Sequence, residues 1–277
     1  MINVICYSGG KDSTALWLWA RRKGIAPRRI IFADTGWEHP ETISYIDQIE
    51  ALMGEPITRV RGPETFEGRV RRLRGFPSSG RRWCTDELKI QPTARELDRI
   101  RDETGDDIQV LVGVRAEESR ARSTMPEREW QDSYDCEVWR PLINWKLADV
   151  IAEHTAANVP LNPLYHMGAE RVGCWPCINA GKTEIELVSR LDPSRIDRIR
   201  EMEKITKNTM FSKEAPVHER VPGERRTELP LPIDDAVAWS RTKRGSKEIQ
   251  LVQAPSGCMR WGICETASPR RDDTEGK

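Results

Sequence analysis

A doubly wound α/β fold on a parallel sheet is what the sequence predicts, and three observations predict it. Apolar runs of strand length recur at residues 3–7, 29–33, 57–60 and 108–114. Stretches of helical length separate them, several with helical apolar spacing. The first run passes through Ser8-Gly9-Gly10-Lys11-Asp12-Ser13 directly into one of those stretches. Parallel neighbours need a crossover, which strand–helix alternation supplies, and ligands of such sheets bind beyond the carboxyl ends of the strands. The loops after Tyr7, Ala33 and Val112 should therefore converge.

Taken in order, residues 13–23 form the first expected helix and residues 40–53 the second, with Pro40 suited to a first helical position. Residues 93–104 carry Leu97 and Ile100 among charges and read as an amphipathic helix, as do residues 147–157, where His154 has a structural role. Beyond about residue 205 the texture turns proline- and charge-rich, with Pro216, Pro222, Pro230 and Pro232 in a short span. A short helix at 233–241 and a strand at 248–253 follow. Residues 267–277 are polar and expected to be disordered. The chain thus divides into a nucleotide-binding α/β domain at 1–205, a cysteine-rich C-terminal extension at 206–266 and a tail at 267–277.

With 277 residues, 38% hydrophobic and 32% charged, the chain can bury a sizeable core without disulfide staples. No apolar run is long enough to span a membrane, and residues 2–5 read as a strand rather than a signal peptide. The expected location is the cytoplasm, with no membrane partner. Lysine plus arginine equals aspartate plus glutamate, 44 each, so net charge gives no reason to expect a duplex-binding protein. Locally, seven arginines between Arg61 and Arg82 face only Glu64 and Glu67. That stretch is either a solvated basic face or a surface for a phosphorylated or nucleic-acid substrate.

The loop at residues 8–13 carries the most chemistry. Its glycines let backbone approach phosphate, the free amides of the new helix point at an anion, and Lys11 adds a charge. Ser8 and Ser13 offer hydroxyls, and Asp12 can hold the Mg2+ that accompanies a triphosphate. The glycine spacing is too short for the Walker loop. The string SGGKDS resembles the loop of the PP-loop ATP pyrophosphatases, an adenine nucleotide alpha hydrolase-like superfamily that cleaves ATP between its α and β phosphates. The resemblance implies a Rossmann-like, HUP-type fold. Asp34-Thr35-Gly36, with Glu38 nearby, resembles that superfamily's second nucleotide loop.

Further strings resemble the phosphoadenylylsulfate reductase relatives: Arg82-Trp83-Cys84-Thr85 with Lys89, and Gly113-Val114-Arg115-Ala116-Glu117-Glu118-Ser119 with Arg122. So do Arg140-Pro141-Leu142, Asn162-Pro163-Leu164-Tyr165, and Arg171-Val172-Gly173-Cys174. Together they cover roughly residues 3–180. By this resemblance Lys89, Arg115 and Arg122 face the anionic end of a nucleotide. Two features depart from the reductases. The loop is intact where theirs is degraded, and Cys264 is followed by Glu265-Thr266 without their glycine and histidine. Iron–sulfur reductases also carry two adjacent cysteines where this chain has Trp83-Cys84. An intact loop with clustered cysteines resembles the phosphorothioation-associated sulfurtransferases.

Seven cysteines in a reducing compartment argue for metal or catalysis rather than disulfides. Cys174 and Cys177 have the spacing that brings two thiolates to one metal, and Cys258 with Cys264 supplies a second pair, for a 4Fe-4S cluster or zinc. If those four close one site, Cys84 is free to act as a nucleophile or persulfide carrier, activated by nearby arginines. If the reductase pattern holds, Cys84 is itself a ligand. Trp37 and Trp83 are candidates for base stacking as well as for the core.

The expected function is ATP- and Mg2+-dependent adenylation of an acceptor for sulfur transfer, with Lys11, Cys84 and Arg115 as catalytic residues. The partners are an adenine nucleotide, a nucleic-acid or small-molecule acceptor, and a sulfur-donor protein. The alternatives are a sulfonucleotide reductase that releases sulfite and a non-catalytic nucleotide-binding module with a structural metal.

Overall fold

The computed structural model describes residues 1–78, 80–214 and 228–242. Its centre is a six-stranded sheet of β1 (Ile2–Tyr7), β2 (Arg28–Asp34), β3 (Ile57–Arg61), β4 (Ile108–Val112), β5 (Arg128–Gln131) and β6 (Cys136–Trp139), in the order β3-β2-β1-β4-β6-β5. The first five strands across that order are parallel, with Val4 opposite both Arg29 and Val110, and β5 closes the edge antiparallel to β6. The expected parallel sheet is therefore present, with a hairpin added to it. Residues 128–139 are charged, short and half exposed, which hides their alternation from a pattern search.

Helices cover both faces. On one face lie α1 (Lys11–Arg22) and α2 (Pro40–Met53), joined later in the chain by a helix at residues 147–156. Leu16, Trp17, Tyr45, Ile46, Ile49 and Val150 bury that layer against Ile5 and Ile30. Pro40 starts α2 as expected, His39 Nδ1 accepts the Glu41 N–H at 3.0 Å, and Gly54 ends the helix in the left-handed region. After α3 (Phe66–Leu73), α4 (Trp83–Thr85), a π-helical turn (Asp86–Ile90) and α5 (Gln91–Thr104) run on as one helical segment. Leu97 and Ile100 of α5 cover the opposite face with Val4, Ile31 and Val110. Strand order reverses between β1 and β4, so the crevice at their carboxyl ends is where this fold accepts a ligand.

Beyond β6 come α6 (Leu147–Ala156), α7 (Pro163–His166), α8 (Lys182–Leu191), α9 (Pro193–Thr206), the hairpin β7 (Phe211–Glu214) with β8 (Glu228–Leu231), and α10 (Ile233–Ser240). These build a second apolar core outside the sheet. Val188, Ile196, Ile199, Met210, Phe211 and Ile233 share it with Trp37, Phe66, Trp83 and Trp175. Packing runs without a break across residue 205. The strand expected at 248–253, the tail at 267–277, and Cys258 and Cys264 lie outside the described residues. No described helix is long and apolar enough to cross a membrane.

Candidate functional site

The loop Ser8–Ser13 sits at the switch point. Gly9 has φ +71°, and a Cβ there would lie 3.0 Å from Ile46, so the turn requires glycine. Helix α1 begins at Lys11, earlier than residue 13, and no side chain caps its start. Its first amides are thus partly available to an anion. The loop is held from outside its own segment. Asn162 Nδ2 donates to Gly9 O at 3.1 Å, Tyr165 Oη accepts the Lys11 N–H at 3.1 Å, and His154 Nε2 lies 2.9 Å from Lys11 O. Ser8 and Ser13 hydroxyls are 3.1 Å apart across the turn.

Strand β4 delivers the other wall. A Cβ on Gly113 would stand 2.7 Å from Asp12 O, so only glycine lets β4 pass the start of α1 this closely. Two residues on, Arg115 turns back into the site, 4% exposed, with Nε 2.5 Å from Asp12 Oδ1 and an Nη 3.0 Å from Glu117. Lys11 Nζ is 3.1 Å from Asp12 Oδ2 and lies 5.0 Å from the Tyr165 ring centre. Both Asp12 oxygens are therefore paired with cations. These groups open on a cavity of about 550 Å3 whose further walls include Ser119, Arg122, Leu147 and Arg171. Arg122 also pairs with Glu118. Sequence reading missed His154, Asn162 and Tyr165 as loop supports; the only trace of the last two was their place in the resemblance.

His154 is buried, and desolvation holds its imidazole below the ordinary value of 6.5 despite the two carbonyls facing its ring. The unfolded chain takes up this proton first, so the stability the group contributes is complete above about pH 6.5 and is lost as pH falls from there through the lowered folded value. His39 shifts in the same direction. The expected result is a midpoint of denaturant unfolding that falls between pH 7 and 5, less steeply in His154→Gln than in the parent chain. An identical slope in the two proteins would remove His154 as a cause.

Asp34, Thr35 and Gly36 end β2 at the same edge of the sheet but are not among the cavity's lining residues. Asp34 accepts from Gly36 N at 2.8 Å and from Arg61 Nε at 2.8 Å, while Thr35 Oγ1 donates to Glu38 at 2.7 Å. This second loop is tied instead to the cysteine segment. Glu38 bridges Cys174, Trp175 N donates to Trp37 O at 2.9 Å, and Trp37 Nε1 donates to Pro176 O at 3.1 Å. Trp37 is fully buried and Trp83 is nearly so, each packed on Phe66, which corrects the base-stacking expectation for both. The basic stretch is largely neutralised: Arg61 meets Asp34, Arg69 meets Glu64 and Glu87, Arg71 meets Glu67, and Arg72 meets Glu64. Arg74, Arg81 and Arg82 are exposed.

Three thiols gather beside this loop. Cys84, from α4, lies close enough to Cys174 and Cys177 for both sulfurs to hold its thiol above the ordinary value. Burial and then Cys174 push the Cys84 thiol up, and Lys89 offsets this only in part. That is opposite to the direction an arginine-activated nucleophile needs. Lys89 is hydrogen-bonded to Cys174 and is held above its ordinary value chiefly by that sulfur. Lys89 is not among the lining residues of the cavity. Arg171 donates to Cys177, and Glu184 accepts from Cys177 N at 3.0 Å. Among the described residues no group of three or more His, Cys, Asp or Glu is arranged to hold a metal ion. Cys6 and Cys136 are remote from this site, in the apolar cluster of the opposite face.

A mostly parallel sheet with a glycine turn, a buried lysine and a buried arginine at its switch point defines a Rossmann-like α/β protein with a polar, charged crevice there. The chain belongs to the phosphoadenosine phosphosulfate reductase domain family, whose model matches residues 2–180. It is 34% identical to the adenosine 5'-phosphosulfate reductase of Allochromatium vinosum, over 64% of this chain and 68% of that protein. It is 29% identical to an uncharacterised 37.8 kDa protein of Escherichia phage 186, over 95% of this chain and 97% of that one. Among solved structures, the phosphoadenylyl-sulfate reductase of Candida auris superposes with a TM-score of 0.46 at 24% identity, covering 62% of this chain and 81% of that one.

Proposed function

We propose that this chain is a nucleotide-dependent enzyme of sulfur chemistry that binds ATP at the Ser8–Ser13 loop and adenylates an acceptor for sulfur transfer. The observation that carries the reading is the complete glycine loop, with Lys11 buried at its head, opening on a cavity that Arg115 also lines. An acceptor oxygen attacks the α-phosphorus and pyrophosphate leaves. The α1 amides and Lys11 stabilise the departing charge, and Arg115 steadies the α-phosphate or the acceptor. Mg2+ accompanying ATP supplies further neutralisation. Since Asp12 is held by two cations, no step is assigned to a metal on that carboxylate.

In this reading residues 1–205 are the nucleotide-binding unit and residues 206–266 an extension. Cys84, Cys174 and Cys177 provide thiols suited to a 4Fe-4S cluster or zinc, with a fourth donor from Cys258 or Cys264. The three thiols lack a metal-holding arrangement by themselves, so no step is routed through that centre. A sulfonucleotide reductase that releases sulfite is the second reading, favoured by the family match and by the gathering of Cys84 with Cys174 and Cys177.

Calorimetric titration of the anaerobically purified protein with ATP and with phosphoadenylylsulfate, Mg2+ present, separates the two. ATP is expected to bind the more tightly, and pyrophosphate release is then followed to find the acceptor. Tighter binding of phosphoadenylylsulfate, with thiol-dependent sulfite release, would overturn the adenylation reading in favour of the reductase.

A further inference from the structure

Arg171 is the side chain that belongs to both halves of the site. It lines the cavity bounded by Lys11 and Arg115, and it lines the smaller neighbouring cavity of about 220 Å3 below α8. Its guanidinium donates to Cys177, and its Nε stands 4.0 Å from Glu184 Oε2. Glu184 in turn accepts the Cys177 backbone N–H through its other oxygen. One guanidinium, one carboxylate and one cysteine thus form a closed set, and the guanidinium is the member that also faces the nucleotide cavity.

The hold on Arg171 is loose. Its side chain is 55% exposed, and the ion pair to Glu184 sits at the outer limit of such a contact, so solvent screens it and it contributes little. A phosphate in the cavity offers oxygens suited to the guanidinium fork and stronger charge than a thiol or one distant carboxylate. An arginine drawn toward the phosphate must give up part of its contact with Cys177 and Glu184.

We propose that Arg171 is a positioning residue that couples occupancy of the nucleotide cavity to the segment bearing Cys174 and Cys177. This rests on the nucleotide reading above. It adds a connection that Lys89 does not provide, since Lys89 is not among the lining residues of the cavity. Coupling of this kind is reciprocal: whatever loosens the grip at the cysteine end tightens nucleotide binding by the same factor.

The test is a double-mutant cycle read as ATP affinity by calorimetry, with Mg2+ present. Arg171→Met is expected to weaken ATP binding about three- to tenfold, as for loss of one rim-exposed charged contact, and Arg171→Lys to recover part of it. Glu184→Gln keeps an acceptor for the Cys177 N–H but releases the guanidinium, and should strengthen ATP binding about two- to fivefold. In the Arg171→Met background that gain should vanish, since non-additivity marks two groups acting through one contact. A purely structural role for Arg171 would leave the Glu184→Gln effect additive, and that result overturns the proposal. Cys177→Ser, crossed with Arg171→Met in the same way, supplies a second cycle should Glu184→Gln fail to fold. Lys11→Ala separates the failures. If it loses ATP binding while both cycles are additive, the coupling is wrong and the nucleotide site stands; if the parent chain binds no ATP, both fall.

Discussion

Replacing Lys11 with alanine is expected to lower affinity for ATP with Mg2+ by about a hundredfold, the scale of losing a buried charged contact. Lys11 is only 4% exposed, its Nζ is 3.1 Å from Asp12, and it stands at the first turn of α1, where the helix amides already favour an anion. A phosphate entering there meets a charge that is already desolvated and positioned, so little reorganisation is needed to use it. Alanine removes the charge and leaves Gly9, Gly10 and Arg115 in place, so the loss reports on Lys11 itself. Calorimetry on the purified variant gives the answer, and unchanged affinity would remove the phosphate role from this loop.

The second large effect belongs to Arg115. Arg115→Met keeps most of the side-chain volume but deletes the guanidinium, and is expected to cost about 3 kcal/mol of stability, because breaking a buried ion pair strands its partner. The partner is Asp12, which would keep only Lys11, and Glu117 would lose its contact as well. ATP affinity should fall in the same variant, since the arginine lines the cavity. Denaturant unfolding measures the stability term. Adding Asp12→Asn to Arg115→Met should cost less than the sum of the two single changes, because the contact between them is already broken. Strictly additive destabilisation would show that the pair is not its source.

Residues Ile2 to Leu111 carry much of their fold openly. Apolar runs too short for helices, separated by amphipathic stretches such as Pro40–Met53, leave a parallel sheet as the economical way to bury both faces. The loop at Ser8–Ser13 was legible for the same reason, because glycines, a lysine and a helix start stand next to one another in sequence. The hairpin of β5 and β6 was not legible: it lies at a half-exposed edge, where burial imposes no strong alternation. Nor was the second core, which draws Trp37, Phe66, Trp83 and Trp175 from four separate segments.

What the sequence determined alone is the identity of the local chemistry: the turn, its cation, and the spacing of Cys174 and Cys177. What only the tertiary structure decided is how distant groups meet. Arg115 reaches Asp12 across 103 residues, Asn162 and Tyr165 brace a loop more than 150 residues away, and Lys89 turns from the cavity to Cys174. The physical reason is that a charge buried beside a sheet edge must be met by whichever opposite charge or dipole the packing brings within a few ångströms. Sequence separation sets no limit on which group that is, and no local pattern records it.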